Sequence, residues 1–362
     1  MRARMKVVSV VGARPQFVKL GPVAAALAEA GHEHVIVHTG QHYDDRLSDV
    51  FFVDLGIPAP DVHLGIGSGS HGVQTGAMLG ALDSVLDAHR PDWVLVYGDT
   101  NSTLAGALAG AKMHLPVAHL EAGLRSFNRT MPEEHNRVLT DHAADLLLAP
   151  TQAAVEHLAA EGLGPRTVLV GDVMTDVCLR VRDAVRAAPP PRPAELPSDG
   201  DYLVATIHRA ENTDDPGRLA RVVTALGRLP LPVLLLAHPR LVARAAEAGI
   251  ELRQGSVLAT RPLPYPQTVA AVLGARAVVT DSGGLQKEAF LLGVPCTTVR
   301  GETEWVETLD GAWNVLAGGD DVLADPAAFA ARVLRPVPTA AQGTPYGDGK
   351  AALRVVDTLT HR

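Results

Sequence analysis

Val7-Val8-Ser9-Val10-Val11-Gly12-Ala13-Arg14-Pro15 is an apolar run that ends on one glycine and leads into a helical pattern over residues 22–30. A valine-rich run of this kind reads as a strand buried on both faces, the sort found in parallel sheets covered by helices. The unit recurs. Strand-like runs stand near residues 35–38, 93–97, 117–120, 146–148 and 168–170, with a long helical stretch at 73–88. The pattern restarts after residue 200, with runs at 202–207, 233–237, 257–259, 277–280 and 297–299. This alternation predicts an α/β protein of two Rossmann-like, doubly wound domains facing a central cleft where both sets of strand ends meet.

The expected domains are 1–187, with 350–362 crossing back onto it, and 201–349. Between them, 188–200 carries Pro189, Pro190, Pro191, Pro193 and Pro197 and reads as an extended linker or surface loop. A chain of 362 residues with 47 % apolar and 4 % aromatic content can bury two aliphatic cores. A net charge of -8 argues against nonspecific nucleic-acid binding. Cys178 and Cys296 stand in no CxxC and read as buried thiols of a reducing cytoplasm. No signal peptide and no apolar run of membrane-spanning length is read, so a cytoplasmic protein without a membrane partner is expected.

The chemistry-bearing motifs sit where apolar runs end, which is where open parallel sheets bind ligands. The first turn has one glycine and Arg14, which suits an arginine reaching a phosphate better than a dinucleotide pyrophosphate. Lys19 lies a little over one helical turn further. Gly67-Ser68-Gly69-Ser70-His71-Gly72 matches GxGxxG but stands at the wrong place in the fold and reads as a glycine-rich loop. Asp281-Ser282-Gly283-Gly284 follows an apolar run and opens a helical pattern at 285–292. Ser282 is a good N-cap, and Gly283 and Gly284 expose backbone N–H groups to an anion. Glu288, six residues beyond Ser282, suits ribose hydroxyls. His208 and Arg209 end another run and suit a diphosphate, His208 as donor or as proton carrier to a leaving group. Asp99 and Glu121 each end a run, and Glu133 opens a helix after Pro132; three such carboxylates can divide general-acid and general-base roles. Asp141-His142 has no third ligand at metal spacing, so no metal site is expected, and His32, His34, His63, His89 and His157 read as surface or packing residues.

Gly12-Ala13-Arg14-Pro15, Gly98-Asp99-Thr100, Glu121-Ala122-Gly123-Leu124-Arg125, Pro132-Glu133-Glu134, Asn136-Arg137, His208-Arg209 and Ser282-Gly283-Gly284-Leu285-Gln286 together resemble the non-hydrolysing UDP-N-acetylglucosamine 2-epimerases, from residue 5 to about 316. The resemblance implies a glycosyltransferase-B-like pair of domains, a homodimer, and interconversion of UDP-GlcNAc and UDP-ManNAc without NAD or another cofactor. Products of this kind serve polysaccharide or antibiotic-sugar biosynthesis. The C2 proton is not beside a carbonyl, so the implied route is anti elimination of UDP to a 2-acetamidoglucal and re-addition with proton delivery to the other face. By matching positions Asp99, Glu121 and Glu133 are the acid/base candidates. Arg14, Lys19, Arg137, His208, Ser282, Gly283 and Gly284 would hold UDP and its phosphates, and Glu288 the ribose.

The chain departs from the family pattern in places. Trp305 follows Thr303-Glu304 where an arginine is common, which admits a ligand-shaping tryptophan and a UDP-2,3-diacetamido-hexuronic acid as the substrate instead. Ala210 stands where another arginine is common. Gln41-His42 is kept, but Asp44 and Ser70 differ from the regulatory pocket of bacterial relatives, so weak or no activation by UDP-GlcNAc is expected. The competing classes are a UDP-sugar glycosyltransferase, a hydrolysing epimerase and a non-catalytic nucleotide-sugar sensor.

Overall fold

The computed structural model describes residues 4–41, 57–196 and 201–362. His42, Asp44 and Pro197 lie outside the described residues, as does the side chain of Arg14. The chain divides into two units, residues 1–177 with 344–362, and residues 178–343. The division falls inside the helix Val173–Ala187, and residues 189–193 are irregular.

The first unit is built on β1 (Lys6–Val11), β2 (Glu33–His38), β3 (Val62–His63), β4 (Trp93–Tyr97), β5 (Val117–Leu120), β6 (Leu146–Ala149) and β7 (Thr167–Leu169). They form one parallel sheet in the order β3-β2-β1-β4-β5-β6-β7. Valines of the central strands, with Leu82 and Leu86 from the helix His71–His89, fill its core. The helix Asn101–Lys112 lies close on the sheet because two of its residues lack side chains. A Cβ on Gly106 would come within 2.9 Å of Val96, and one on Gly110 within 2.7 Å of Val117. The helix Ala351–His361 returns to this unit. Its first N–H groups, at Ala351 and Ala352, donate to the Asp176 carboxylate at 3.0 and 2.8 Å, and the Trp93 indole donates to the Leu359 carbonyl at 3.1 Å.

The second unit holds β8 (Leu203–Thr206), β9 (Val233–Leu236), β10 (Val257–Thr260), β11 (Ala277–Thr280), β12 (Cys296–Thr298) and β13 (Asn314–Leu316), parallel in the order β10-β9-β8-β11-β12-β13. Its core joins Leu203, Leu235 and Val279 of the sheet to Leu226 and Phe329 of the covering helices. Each sheet therefore reverses its strand order once, between β1 and β4 and between β8 and β11, and ligand sites of doubly wound sheets lie at such reversals.

Candidate active site

At the β1/β4 reversal the chain leaves β1 through Gly12. A Cβ there would lie 2.0 Å from Thr39 Oγ1 and 2.2 Å from Ser102 Oγ, so glycine alone fits. Gln16, in the first turn of the helix Arg14–Glu29, stitches the two strand ends together. Its Oε1 accepts from the N–H groups of Gly12 and Ala13 at 2.8 and 2.9 Å, and its Nε2 donates to the Tyr97 carbonyl at 2.8 Å. Lys19, one turn on, is buried and ion-paired with Glu121. Burial alone would lower the Lys19 pKa; the Glu121 carboxylate outweighs it and holds the ammonium above its ordinary range.

Asp99 follows Gly98 at the end of β4, and Glu121 follows β5 with a left-handed φ of 72°. That conformation costs a non-glycine residue roughly 1–2 kcal/mol, so the surroundings impose it. Gly98 leaves the room: a Cβ there would stand 3.0 Å from Glu121 Oε2 and 3.2 Å from Lys19 Nζ. Arg137 donates to Asp99 at 2.6 Å and to Glu134 at 3.0 Å, and the Asn136 amide donates to the Asp99 carbonyl at 2.9 Å. Glu134 also accepts from the N–H groups of Ser126 and Phe127, both at 2.9 Å. Burial would raise the Glu134 pKa, but those N–H groups and Arg137 hold it below the usual carboxylate range. Asp99, Glu121, Lys19 and Arg137 thus form one cluster. Glu133, on the first turn of the helix Pro132–Ala143, is exposed and has no hydrogen-bonding or ion-pair partner among the described residues. Near the expected regulatory region, the Gln41 side chain accepts from the Ser102 N–H at 3.0 Å and from its hydroxyl at 2.7 Å.

At the β8/β11 reversal Asp281 ties the strand ends. It accepts from the N–H groups of His208 and Arg209 at 3.0 and 2.9 Å and from the Asn212 amide at 3.0 Å, with the His208 ring at 3.2 Å. Burial would raise its pKa, and these partners, His208 foremost, hold it low. Ser282 caps the helix Gly283–Leu292, accepting from the Leu285 N–H at 3.4 Å. The Glu304 carboxylate lies at that helix start: a Cβ on Gly283 would be 2.6 Å from Glu304 Oε1. Arg300 and Arg209 pair with Glu304 at 2.8 and 3.4 Å, so a negative group at the positive end of a helix is further neutralised by two guanidiniums. Gly284 is exposed on the same turn. Trp305 is buried, with the Lys287 ammonium 3.8 Å above its ring. The tryptophan expected to shape a ligand has its ring engaged by its own unit. Glu288 accepts from the Tyr265 hydroxyl at 2.9 Å, and burial pushes its pKa up to about 7 against the pull of Tyr265 and Lys287.

Sequence reading quoted Asn136, Asp281 and Glu304 within motifs without giving them work, and passed over Gln16. Gln16 stands three residues after the N-cap Ala13, the position from which a glutamine reaches back to the cap N–H, and that spacing was its signal. Glu304 stands four residues after Arg300, but its pairing with Arg209, 95 residues away, is set by the fold.

A family model described as UDP-N-acetylglucosamine 2-epimerase matches residues 25–360. A UDP-2,3-diacetamido-2,3-dideoxy-D-glucuronate 2-epimerase of Pseudomonas aeruginosa is 45 % identical, over 98 % of this chain and 99 % of that one. The crystal structure of a UDP-GlcNAc 2-epimerase of Methanocaldococcus jannaschii, in complex with UDP-GlcNAc and UDP, is 36 % identical with a TM-score of 0.86, covering 99 % of this chain and 100 % of that one. A calicheamicin glycosyltransferase shares the fold at a TM-score of 0.60 and 17 % identity, over 99 % and 98 % of the two chains.

Proposed function

The chain belongs to the UDP-N-acetylglucosamine 2-epimerase family of isomerases, and on that premise we propose that it inverts C2 of UDP-N-acetylglucosamine, giving UDP-N-acetylmannosamine. The observation that carries the reading is the pair Asp99 and Glu121, which follow the neighbouring strands β4 and β5 and are each held by a different cation, Arg137 and Lys19. Two carboxylates with separate partners can serve separate proton transfers.

On this reading one carboxylate, Asp99, takes the C2 proton. The C2–H electron pair forms the C1=C2 double bond, and the C1–O bond breaks with its electrons leaving on UDP. UDP then adds back to C1 while Glu121 or Glu133 delivers a proton to the opposite face of C2. Arg14, Lys19, Arg137 and His208 bind and neutralise the diphosphate. The Gly283 and Gly284 N–H groups beside the Ser282 cap add the favourable end of a helix, and Glu288 takes the ribose hydroxyls. UDP-sugar and UDP are the only small molecules required, the working form is a cytoplasmic homodimer, and no cofactor takes part. Among the described residues no helix is long and apolar enough to cross a membrane.

A second substrate, a UDP-2,3-diacetamido-hexuronic acid, is favoured by the 45 % identity to the Pseudomonas aeruginosa relative that is named for one. Proton NMR in deuterated water, with each UDP-sugar in turn, tests both. UDP-ManNAc carrying deuterium at C2 is expected from UDP-GlcNAc. Turnover of the diacetamido-uronate alone would move the assignment to the second substrate. Free ManNAc with UDP would mean hydrolysis, and no C2 exchange with either sugar would overturn the epimerase reading.

A further inference from the structure

Behind the two catalytic candidates lies a buried pair that the reaction does not touch. His119 on β5 and Asp141 on the helix Pro132–Ala143 are both fully buried, with His119 Nδ1 2.6 Å from Asp141 Oδ1. The other ring nitrogen, Nε2, stands 2.7 Å from the Gly98 carbonyl oxygen. A carbonyl oxygen only accepts, so Nε2 carries a hydrogen. Asp141 is itself an acceptor on its second oxygen, from Arg125 at 2.7 Å and from the Gly123 N–H at 3.1 Å. Burial would raise the Asp141 pKa, but, His119 set aside, the Arg125 guanidinium and the Gly123 N–H on that second oxygen keep the carboxylate an ionised acceptor, so Nδ1 carries a hydrogen as well.

An imidazole with a hydrogen on both nitrogens is an imidazolium. The ionisable groups around it are Asp141, Arg125, Glu161 and His142. Arg125 also pairs with Glu161 at 2.8 Å, and His142 stands 3.1 Å from Glu161. His119 and Arg125 are balanced by Asp141 and Glu161, so the buried charges are paired and hydrogen-bonded, as burial demands.

The two backbone groups held by this pair are the ones that aim the carboxylates. The Gly98 carbonyl belongs to the turn that presents Asp99. The Gly123 N–H closes the turn after Glu121, whose left-handed backbone has to be imposed. We propose that His119 is a positioning residue: its imidazolium, clasped by Asp141, fixes the Gly98 turn and with it the separation of Asp99 from Glu121. This rests on the epimerase reading for what the carboxylates do, though not for the charge.

The test has two parts. In protein labelled with nitrogen-15 in its histidine rings, the His119 signals, assigned by their loss in His119→Gln, are expected to show two protonated nitrogens. One bare ring nitrogen would overturn the proposal, whether or not the chain turns over any sugar. In His119→Leu, kcat for C2 exchange is expected to fall about 10²-fold, the cost of misplacing a reacting group by roughly 1 Å, with KM and UDP affinity nearly kept. His119→Gln, which keeps one donor for Gly98, is expected to recover part of the loss. Full kcat in His119→Leu, or a loss of UDP affinity equal to the loss of kcat, would overturn it too. If His119→Leu does not fold, Asp141→Asn replaces it with the same expectation. Absence of exchange by the unmodified chain counts against the epimerase reading, and the nitrogen spectrum then decides the charge alone.

Discussion

Glu133 and Glu134 are adjacent in sequence and opposite in circumstance. One is exposed, while the other is buried against Ser126, Phe127 and Arg137. Successive helical residues point about 100° apart, and which of two glutamates turns inward depends on how the helix is seated, something no local pattern encodes. Asp99 and Glu121 were legible because each ends an apolar run; His119 and Asp141 were not joined, because a contact across 22 residues is a product of the fold. Replacing Asp99 by Asn or Glu121 by Gln is expected to cut turnover by about 10²–10⁴-fold while UDP binding is retained, as isothermal calorimetry beside a rate assay would show. Full activity in both would remove them from the mechanism. Glu288 predicts a pH effect on stability. Its pKa rises from 4.5 in the unfolded chain to about 7 in the folded one, so the folded state holds the proton more tightly. That contribution is complete below about pH 4.5 and is lost as pH climbs through about 7, a change on the order of 3 kcal/mol. Urea midpoints for the unmodified chain should therefore drop between about pH 5 and about pH 8 relative to those of Glu288→Gln; parallel curves would contradict this.

The elements were read best where a strand is apolar on both faces. Trp93–Tyr97, Val117–Leu120 and Ala277–Thr280 stand where the runs placed them. β3, of two residues, is too short to show a period, and β13, of three, was not read although β7 and β12 of the same length were. The first helix was read from residue 22, but it begins at Arg14 and carries Pro22 inside. A proline there removes one N–H and is usually a start signal; here Pro15 and the Gln16 bridge begin the helix a turn and more earlier. The capped start of Gly283–Leu292 was legible from Ser282, since a hydroxyl before two glycines and an apolar run has few other uses. Ser282→Ala is expected to cost about 1 kcal/mol, seen as a melting temperature lower by about 2–4 °C. An unchanged melting temperature would show that the cap contributes nothing to stability.

At the scale of the whole molecule, both sheets reverse strand order once, and motifs singled out in the sequence stand at each reversal, Gly12 with Asp99 in one and His208 with Asp281 in the other. The unit boundary inside the helix Val173–Ala187 was not legible, because a helix passing from one unit to the other keeps an unbroken period where a loop would leave prolines and glycines. The return of the helix Ala351–His361 suggests a deletion. Without residues 351–362, Trp93 loses its carbonyl acceptor and the Asp176 carboxylate loses two N–H partners. Limited proteolysis is expected to cut residues 4–177 of such a chain well before 203–343, and equal resistance of the two would refute the dependence. The same return also sets an order of events during synthesis. The ribosome delivers the strands that carry Asp99 and Glu121 first, yet the helix that completes their unit emerges only after all of residues 178–343. The unit bearing the carboxylates is thus the last to have all of its chain available, although its strands are the first to be made.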